Sequence, residues 1–407
     1  MNVIFVEPAF PATQREFVRA LAEVGATVIG VGERPVEWLD DELKGWLDHY
    51  EHVGSVTHED WLGATVRWIQ GRMWVDRLES TVEAHIMTTA QVREACGIPG
   101  TSVRTAYLCR DKPSMKEALR QAGVPCAQST AASSAAEVHQ FAQQVGYPLI
   151  LKPRAGAGAS GTVRVDDELG LARALAELGA SGTDSIAVEE FIEGHEGFYD
   201  TLCINGSPAV DFVSHYFPNV LDAMRTRDVS PQFLATNRID SASSYDEVKE
   251  MGRRAVEALG IGTSATHMEW FYGPKGLKFS EIGCRPPGVG AWDLYSVAND
   301  FDLYKQWAMA IVHGQLSSGP SRRFSAGIVA LRPERDGTIR GYSGVEQIQH
   351  AYGEWIIDAH LPPAGTGTQP VEAGYMANAW IRMKHPDYDE LRTMLDTVGR
   401  TVRVHAG

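Results

Sequence analysis

Lys152-Pro-Arg-Ala-Gly-Ala-Gly-Ala-Ser-Gly-Thr-Val163 is the stretch on which the fold turns. Gly156, Gly158 and Gly161 let backbone N–H groups close on an anionic oxygen without Cβ interference, so the segment reads as a phosphate cradle. The same GxGxxG letters open dinucleotide-binding helices and cover the phosphates in protein kinases, so the flanks must decide. A dinucleotide fold needs a helix directly after the glycines, whereas Thr162-Val-Arg-Val165 are strand formers. A kinase loop carries its lysine on the following strand, with HRD and DFG motifs beyond, and none of these follow. Here Lys152 precedes the glycines, at the end of the incoming strand Tyr147-Pro-Leu-Ile-Leu-Lys152, where its ammonium meets the same phosphate oxygens as the loop.

Two acidic constellations lie downstream. Val188-Glu-Glu-Phe-Ile192-Glu-Gly-His-Glu196 is a strand running into a turn. Strand residues such as Glu190, Phe191 and Ile192 can present backbone N–H and C=O to a purine edge, while a carboxylate accepts hydrogen bonds from ribose hydroxyls. Taken alone, this segment reads rather as an acidic surface hairpin. Thr266-His-Met-Glu269-Trp-Phe and Leu277-Lys-Phe-Ser-Glu281 flank the turn Tyr272-Gly-Pro-Lys-Gly276, so neighbouring strands each offer one carboxylate. Magnesium takes oxygen ligands and is usually held by one or two carboxylates plus substrate phosphates, which suits Glu269 and Glu281. Arg285, four residues on, has the fork to clamp a phosphoryl or carboxylate oxygen bidentately. His267-x-Glu269 begins a zinc deaminase signature, but the PCxxC partner is missing. His267 either faces the substrate pocket or is a satisfied, partly buried histidine.

Upstream, Val3–Val6, the apolar spacing of Phe17, Leu21 and Val24, and Thr27–Val31 make a βαβ opening. A helix over Glu59–Gln70, with Trp61, Leu62, Thr65, Val66 and Ile69 on one face, precedes an apolar piece at Met73–Val75. Residues 1–110 thus form an open parallel sheet, and Glu79 and Glu83, beyond its last piece, are candidate substrate contacts or solvated helix acids. Helices around Ser114–Gln121 and Ser134–Val145, strands at 147–152, 162–165 and 186–190, and a helix carrying Leu171, Leu175 and Leu178 make a small α+β unit. A helix spans Asp246–Leu259. Ser317-Ser-Gly-Pro-Ser321 reads as a boundary before strands and a last helix at Asp389–Val398. The loop from His215 through Arg225, Arg227 and Asn237 is expected to line the pocket.

At 407 residues, with 44% hydrophobic and 22% charged residues, the chain suits two or three globular domains. Its net charge is -15 and only nine of its 37 basic residues are lysine, so nucleic acid is not an expected partner. Five scattered cysteines without a CxxC pair fit a reducing cytoplasm. The start lacks the basic flank and length of a signal peptide or membrane span, and no membrane partner is expected.

The order Arg110-Asp-Lys112, Lys152 with its glycine loop, Glu189-Glu-Phe-Ile192 through Glu196, Glu269, Glu281 and Arg285 resembles the ATP-grasp superfamily over about residues 1–315. The resemblance implies α/β and α+β architecture. It places a pre-ATP-grasp domain at 1–110, an ATP-grasp domain at 111–315 with a lid subdomain at about 113–187, and a small C-terminal α+β domain at 316–407. It implies ATP and Mg2+ as cofactors. Lys112 and Lys152 would meet the α- and β-phosphates, and the 156–161 loop, with Gly156, Gly158, Ser160 and Gly161, would close as a lid. Glu189 and the backbone of Glu190 through Ile192 would take adenine, Glu196 the ribose, and Glu269 and Glu281 the magnesium. Arg285, with Lys152 and His267, would serve the transferred phosphoryl and acyl groups. Gly283 stands where the family often has Asn, which leaves one or two magnesium ions open. His267-x-Glu269 and the C-terminal strands look most like the amino-acid and dipeptide ligase branch. The implied activity is an ATP-dependent carboxylate-amine ligase that forms an amide through an acyl phosphate. A biotin-carboxylase-like carboxylase and a non-catalytic nucleotide-binding protein are the alternatives, and a homodimer stays open.

Overall fold

The computed structural model describes residues 1–154, 161–180 and 185–407, with side chains of the middle segment to residue 176. Gly156, Gly158 and Ser160, and the side chain of Leu178, lie outside the described residues.

The N-terminal sheet is parallel, in the order His49–His52, Thr27–Gly32, Asn2–Val6, Arg77–Glu79. Val3, Ile4, Phe5 and Val6 are fully buried because both faces are covered, as a parallel sheet requires. The fourth strand falls after the apolar piece at Met73–Val75. Asp76 fixes this shift by exchanging hydrogen bonds with Asn2, its backbone N–H donating to Asn2 O and its carboxylate accepting Asn2 N–H at 2.7 Å. Leu78, not Met73, then sits opposite Ile4, while Trp74 is 77% exposed. In helix Glu59–Gln70, Leu62, Val66 and Ile69 are buried as expected, whereas Trp61 turns outward and stacks on His58.

A four-stranded antiparallel sheet, Ser129–Ala132, Ile186–Glu190, Leu149–Pro153, Val163–Val165, packs on helix Ala135–Val145. Helix Lys112–Gln121 joins it to the rest. Asp111 caps that helix by accepting Ser114 N–H, and grips Arg154 bidentately at 2.8 and 3.1 Å. Lys112 N–H donates to Arg154 O, so Lys112 at the helix start and Lys152 at the strand end are brought together.

The centre is an eight-stranded antiparallel sheet in the order Gly276–Gly283, Ser264–Gly273, His195–Ile204, Ser207–Phe217, Gln232–Ala235, Ser325–Leu331, Ala379–His385, Ile356–His360. Residues beyond 316 thus extend the same sheet, because Ser325–Leu331 pairs with Gln232–Ala235. Helix Tyr388–Thr401 covers that end through Leu391, Leu395 and Val398, all fully buried. One face of the sheet carries helices Ala291–Ala298 and Leu303–His313 and meets the N-terminal unit through Phe5 and Phe17. The other carries Asp246–Leu259. Among the described residues no helix is long and apolar enough to cross a membrane.

Candidate nucleotide and metal site

One pocket lies between the small sheet and the edge of the central sheet, and brings together Lys112, Lys116, Lys152, Thr162, Glu189 to Ile192, Glu196, Asn219 to Asp222, Glu269 and Glu281. Its position follows from the hairpin Ser264–Gly273 and Gly276–Gly283. The two-residue Pro274-Lys275 turn pairs Trp270 with Phe279, and an irregularity between Glu269 and Trp270 then shifts the register by one, so that Glu269 lies directly opposite Glu281 and both line the pocket.

The charges interlock. Lys152 Nζ is 2.9 Å from Glu189 Oε2 and 3.9 Å from Glu281 Oε2, and Lys112 Nζ is 3.4 Å from the same Glu281 oxygen. Lys116, one helical turn after Lys112, is 1% exposed and sits 2.6 Å from Glu189 Oε2. Burial pushes the Lys116 ammonium down to about 8 against the pull of Glu189. At Glu189 burial works upward, but Lys116 and Lys152 outweigh it and hold the carboxyl at about 2. Lys152 is raised, since Glu189 and Glu281 outweigh its burial. The second oxygen of Glu189 is buried without a hydrogen-bond partner among the described residues.

Glu196 is buried at 5% exposure, and its Oε2 accepts Val220 N–H at 2.6 Å. Burial, followed by the charges of Glu269 and Glu281, pushes its carboxyl well above the usual range. Glu269 moves the other way: burial raises it, but His267, then Lys152 and Lys112, bring it below the ordinary value. Among the described residues, no three His, Cys, Asp or Glu side chains are arranged to hold a metal by themselves. The two facing carboxylates of Glu269 and Glu281 fit magnesium, whose remaining positions would go to water and phosphate, and whose charge would relieve the crowding of Glu196, Glu269 and Glu281.

One side of the pocket is apolar, walled by Ala127, Ile150, Ile192, Leu221, Phe271 and Phe279. Glu190 N–H donates to Gln128 O and Phe191 N–H to Pro148 O, so neither is open to a ligand. Glu190 pairs its carboxylate with Lys275. Gly161 holds φ at +71°, the left-handed region that glycine adopts without strain.

Arg285 stands beside this pocket rather than in its wall. Its Nε donates to Glu83 Oε2 at 2.8 Å, and Glu83 comes from the N-terminal unit, where its backbone carbonyl accepts from Arg110. A Cβ on Gly283 would lie 3.4 Å from both Glu83 Oε2 and Arg285 Cγ, in contact with this ion pair. Glu79, by contrast, is buried against Arg93 at 3.1 Å. Of the loop 215–237, only Asn219 to Asp222 line the pocket. His215 faces the other side of the sheet beside Trp270, and Arg227 turns to Asp336. Sequence reading passed over Lys116, whose only signal was its spacing of four from Lys112, and Asp200, which lies within an apolar strand.

Residues 117–301 match the family model described as the ATP-grasp domain. The L-arginine-specific L-amino acid ligase of Bacillus subtilis is 26% identical over 325 residues, which cover 78% of this chain and 76% of that protein. Among solved structures, the L-amino acid ligase from Bacillus licheniformis superposes with a TM-score of 0.76 at 17% identity, over 100% of this chain and 98% of the other. The biotin carboxylase domain of the Hydrogenobacter thermophilus 2-oxoglutarate carboxylase, bound to MgADP, ADP and bicarbonate, gives 0.70 at 18% identity, over 99% and 90%. At these identities the two superpositions speak for the fold.

Proposed function

We propose that this chain, which belongs to the ATP-grasp superfamily and is an ATP-dependent ligase using ATP and Mg2+, joins the carboxylate of an amino-acid-like small molecule to an amine through an acyl phosphate. The observation that carries the reading is the meeting of Lys112 and Lys152 at Glu281, directly across the strand pair from Glu269. Two cations suited to phosphate oxygens and two carboxylates suited to a divalent cation converge on one buried pocket with an apolar end.

Each residue then has a physical task. Ile192 and the neighbouring strand-end carbonyls read the purine, and Glu196 accepts from the ribose. Lys112 and Lys152 bind the phosphates, and Glu189 holds Lys116 and Lys152 in place as their shared counter-ion. Glu269 and Glu281 hold the magnesium, which when bound neutralises charge on the phosphates. The substrate carboxylate oxygen attacks the γ-phosphorus, and ADP leaves. The amine next attacks the acyl carbon, the acyl–oxygen bond breaks, and phosphate departs while the amide keeps its carbonyl oxygen. Arg285, which stands beside the pocket on Glu83, would spread charge on the transferred group and the tetrahedral oxygen. Support for an amino-acid-like substrate comes from the Bacillus subtilis relative, whose match spans three quarters of its length.

Screening amino-acid pairs for coupled release of ADP and phosphate, with mass spectrometry of the products, tests the reading. Amide products support it. ATP hydrolysis that requires bicarbonate, rises with free biotin and ignores amino acids would assign a carboxylase instead.

A further inference from the structure

Asp200 lies outside the pocket wall, yet it is tied to the metal carboxylates by a chain of contacts. Strands His195–Ile204 and Ser264–Gly273 place Asp200 directly opposite His267, and Phe198 opposite Glu269. Asp200 is 1% exposed, and its Oδ1 is 2.6 Å from His267 Nδ1. The far nitrogen of the ring, Nε2, faces Glu269 Oε1 at 3.7 Å. The ring of His267 also meets the Phe198 ring edge-on at 5.1 Å. Asp200 is held in turn: Tyr295 OH donates to its Oδ2 at 2.5 Å, and the same hydroxyl lies 3.1 Å from Ser214 Oγ. Tyr295 is fully buried and stacks on Phe212 at 4.2 Å.

A buried carboxylate this far from water is costly unless each oxygen has a partner, and here each has one. The partners are not interchangeable packing groups. One is a rigid aromatic hydroxyl, the other an imidazole whose opposite edge points at Glu269.

We propose that Asp200 is a positioning residue: locked by Tyr295, it fixes the ring of His267 and through it the carboxylate of Glu269, so that Glu269 meets the divalent cation in one orientation. The inference rests on the reading of Glu269 as a magnesium ligand. It adds an outer layer of support that the arrangement of ligands alone does not supply, and such support typically changes metal affinity or activity about 10–100-fold.

The test compares wild type with Asp200→Asn, His267→Gln, the double variant and Tyr295→Phe, each first checked for a wild-type-like thermal melt. ADP binding is titrated by calorimetry with and without magnesium, and Mn2+ affinity is read by electron paramagnetic resonance, so that turnover is not needed. Asp200→Asn is expected to weaken Mn2+ binding about tenfold while magnesium-free ADP affinity stays unchanged. The double variant should lose no more than His267→Gln alone, because both changes break one chain. Should Asp200→Asn fail to fold, Tyr295→Phe decides, since it keeps the stacked ring and is expected to weaken Mn2+ binding in the same direction. Wild-type metal affinity in the folded Asp200 variant, or in Tyr295→Phe when that variant must decide, overturns the proposal, as does full additivity of the double variant. A protein that binds MgADP but makes no amide would refute the ligase reading and leave this inference standing.

Discussion

Lys116 Nζ stands 2.6 Å from Glu189 Oε2, in a pair so enclosed that Lys116 is 1% and Glu189 4% exposed. An ion pair removed from water is maintained only with near-complete compensation, and Lys152 provides the rest at 2.9 Å. The pocket is therefore held by charge as much as by packing. Lys116→Met leaves Glu189 with half its compensation. We expect a loss of about 3–5 kcal/mol in unfolding free energy, read by urea denaturation, together with weaker ADP binding.

Glu281 forms ion pairs with Lys112 and Lys152 and lies opposite Glu269. Glu281→Ala is expected to reduce turnover at least about 100-fold, because it removes a carboxylate proposed to hold magnesium. Magnesium-free ADP should bind at least as tightly as to wild type, since a negative charge next to the phosphates has gone. Calorimetry of ADP with and without magnesium separates the two effects.

His215 bonds His195 at 2.9 Å and Tyr245 OH at 3.0 Å. Burial, and then His195, pushes its imidazole down to about 3. The unfolded chain takes up this proton near the ordinary value of about 6.5, while the folded protein resists until about 3. Below about pH 6.5 the unfolded state thus binds more protons, and stability falls as pH falls, by up to about 1.4 kcal/mol per unit. The urea midpoint of wild type should drop between pH 7 and pH 5 more steeply than that of His215→Gln.

Gly252 lies on helix Asp246–Leu259 where a Cβ would come 2.3 Å from the Tyr199 ring. Tyr199 cannot retreat, being 2% exposed and bonded through its hydroxyl to Asp211 at 3.0 Å. Gly252→Ala gains about 1 kcal/mol in helix propensity but overpacks a full core, at about 1–3 kcal/mol. A net destabilisation is expected, seen as a lower thermal midpoint.

The parts of the site that could be read from sequence are those whose geometry is local. The Gly273 to Gly276 turn makes neighbours of the two strands, so one carboxylate on each was legible, whereas the irregularity beside Trp270 that brings Glu269 opposite Glu281 was not. Helices Glu59–Gln70 and Asp246–Leu259 were legible for the same reason, through a repeat in their own residues. What escaped depends on distant partners. Lys116 looks like any helix cation until the strand end at Glu189 closes over it, and Asp200 becomes informative only once His267 is paired opposite. The strands after residue 316 carry nothing in their own pattern to say that Ser325–Leu331 docks beside Gln232–Ala235.

The proposed function rests on carboxylate activation by phosphoryl transfer. Turnover of an acid substrate labelled with heavy oxygen in its carboxylate, followed by mass analysis of the released phosphate, tests it most directly. One heavy oxygen is expected in each phosphate formed along with the amide. Unlabelled phosphate accompanying amide formation would contradict it.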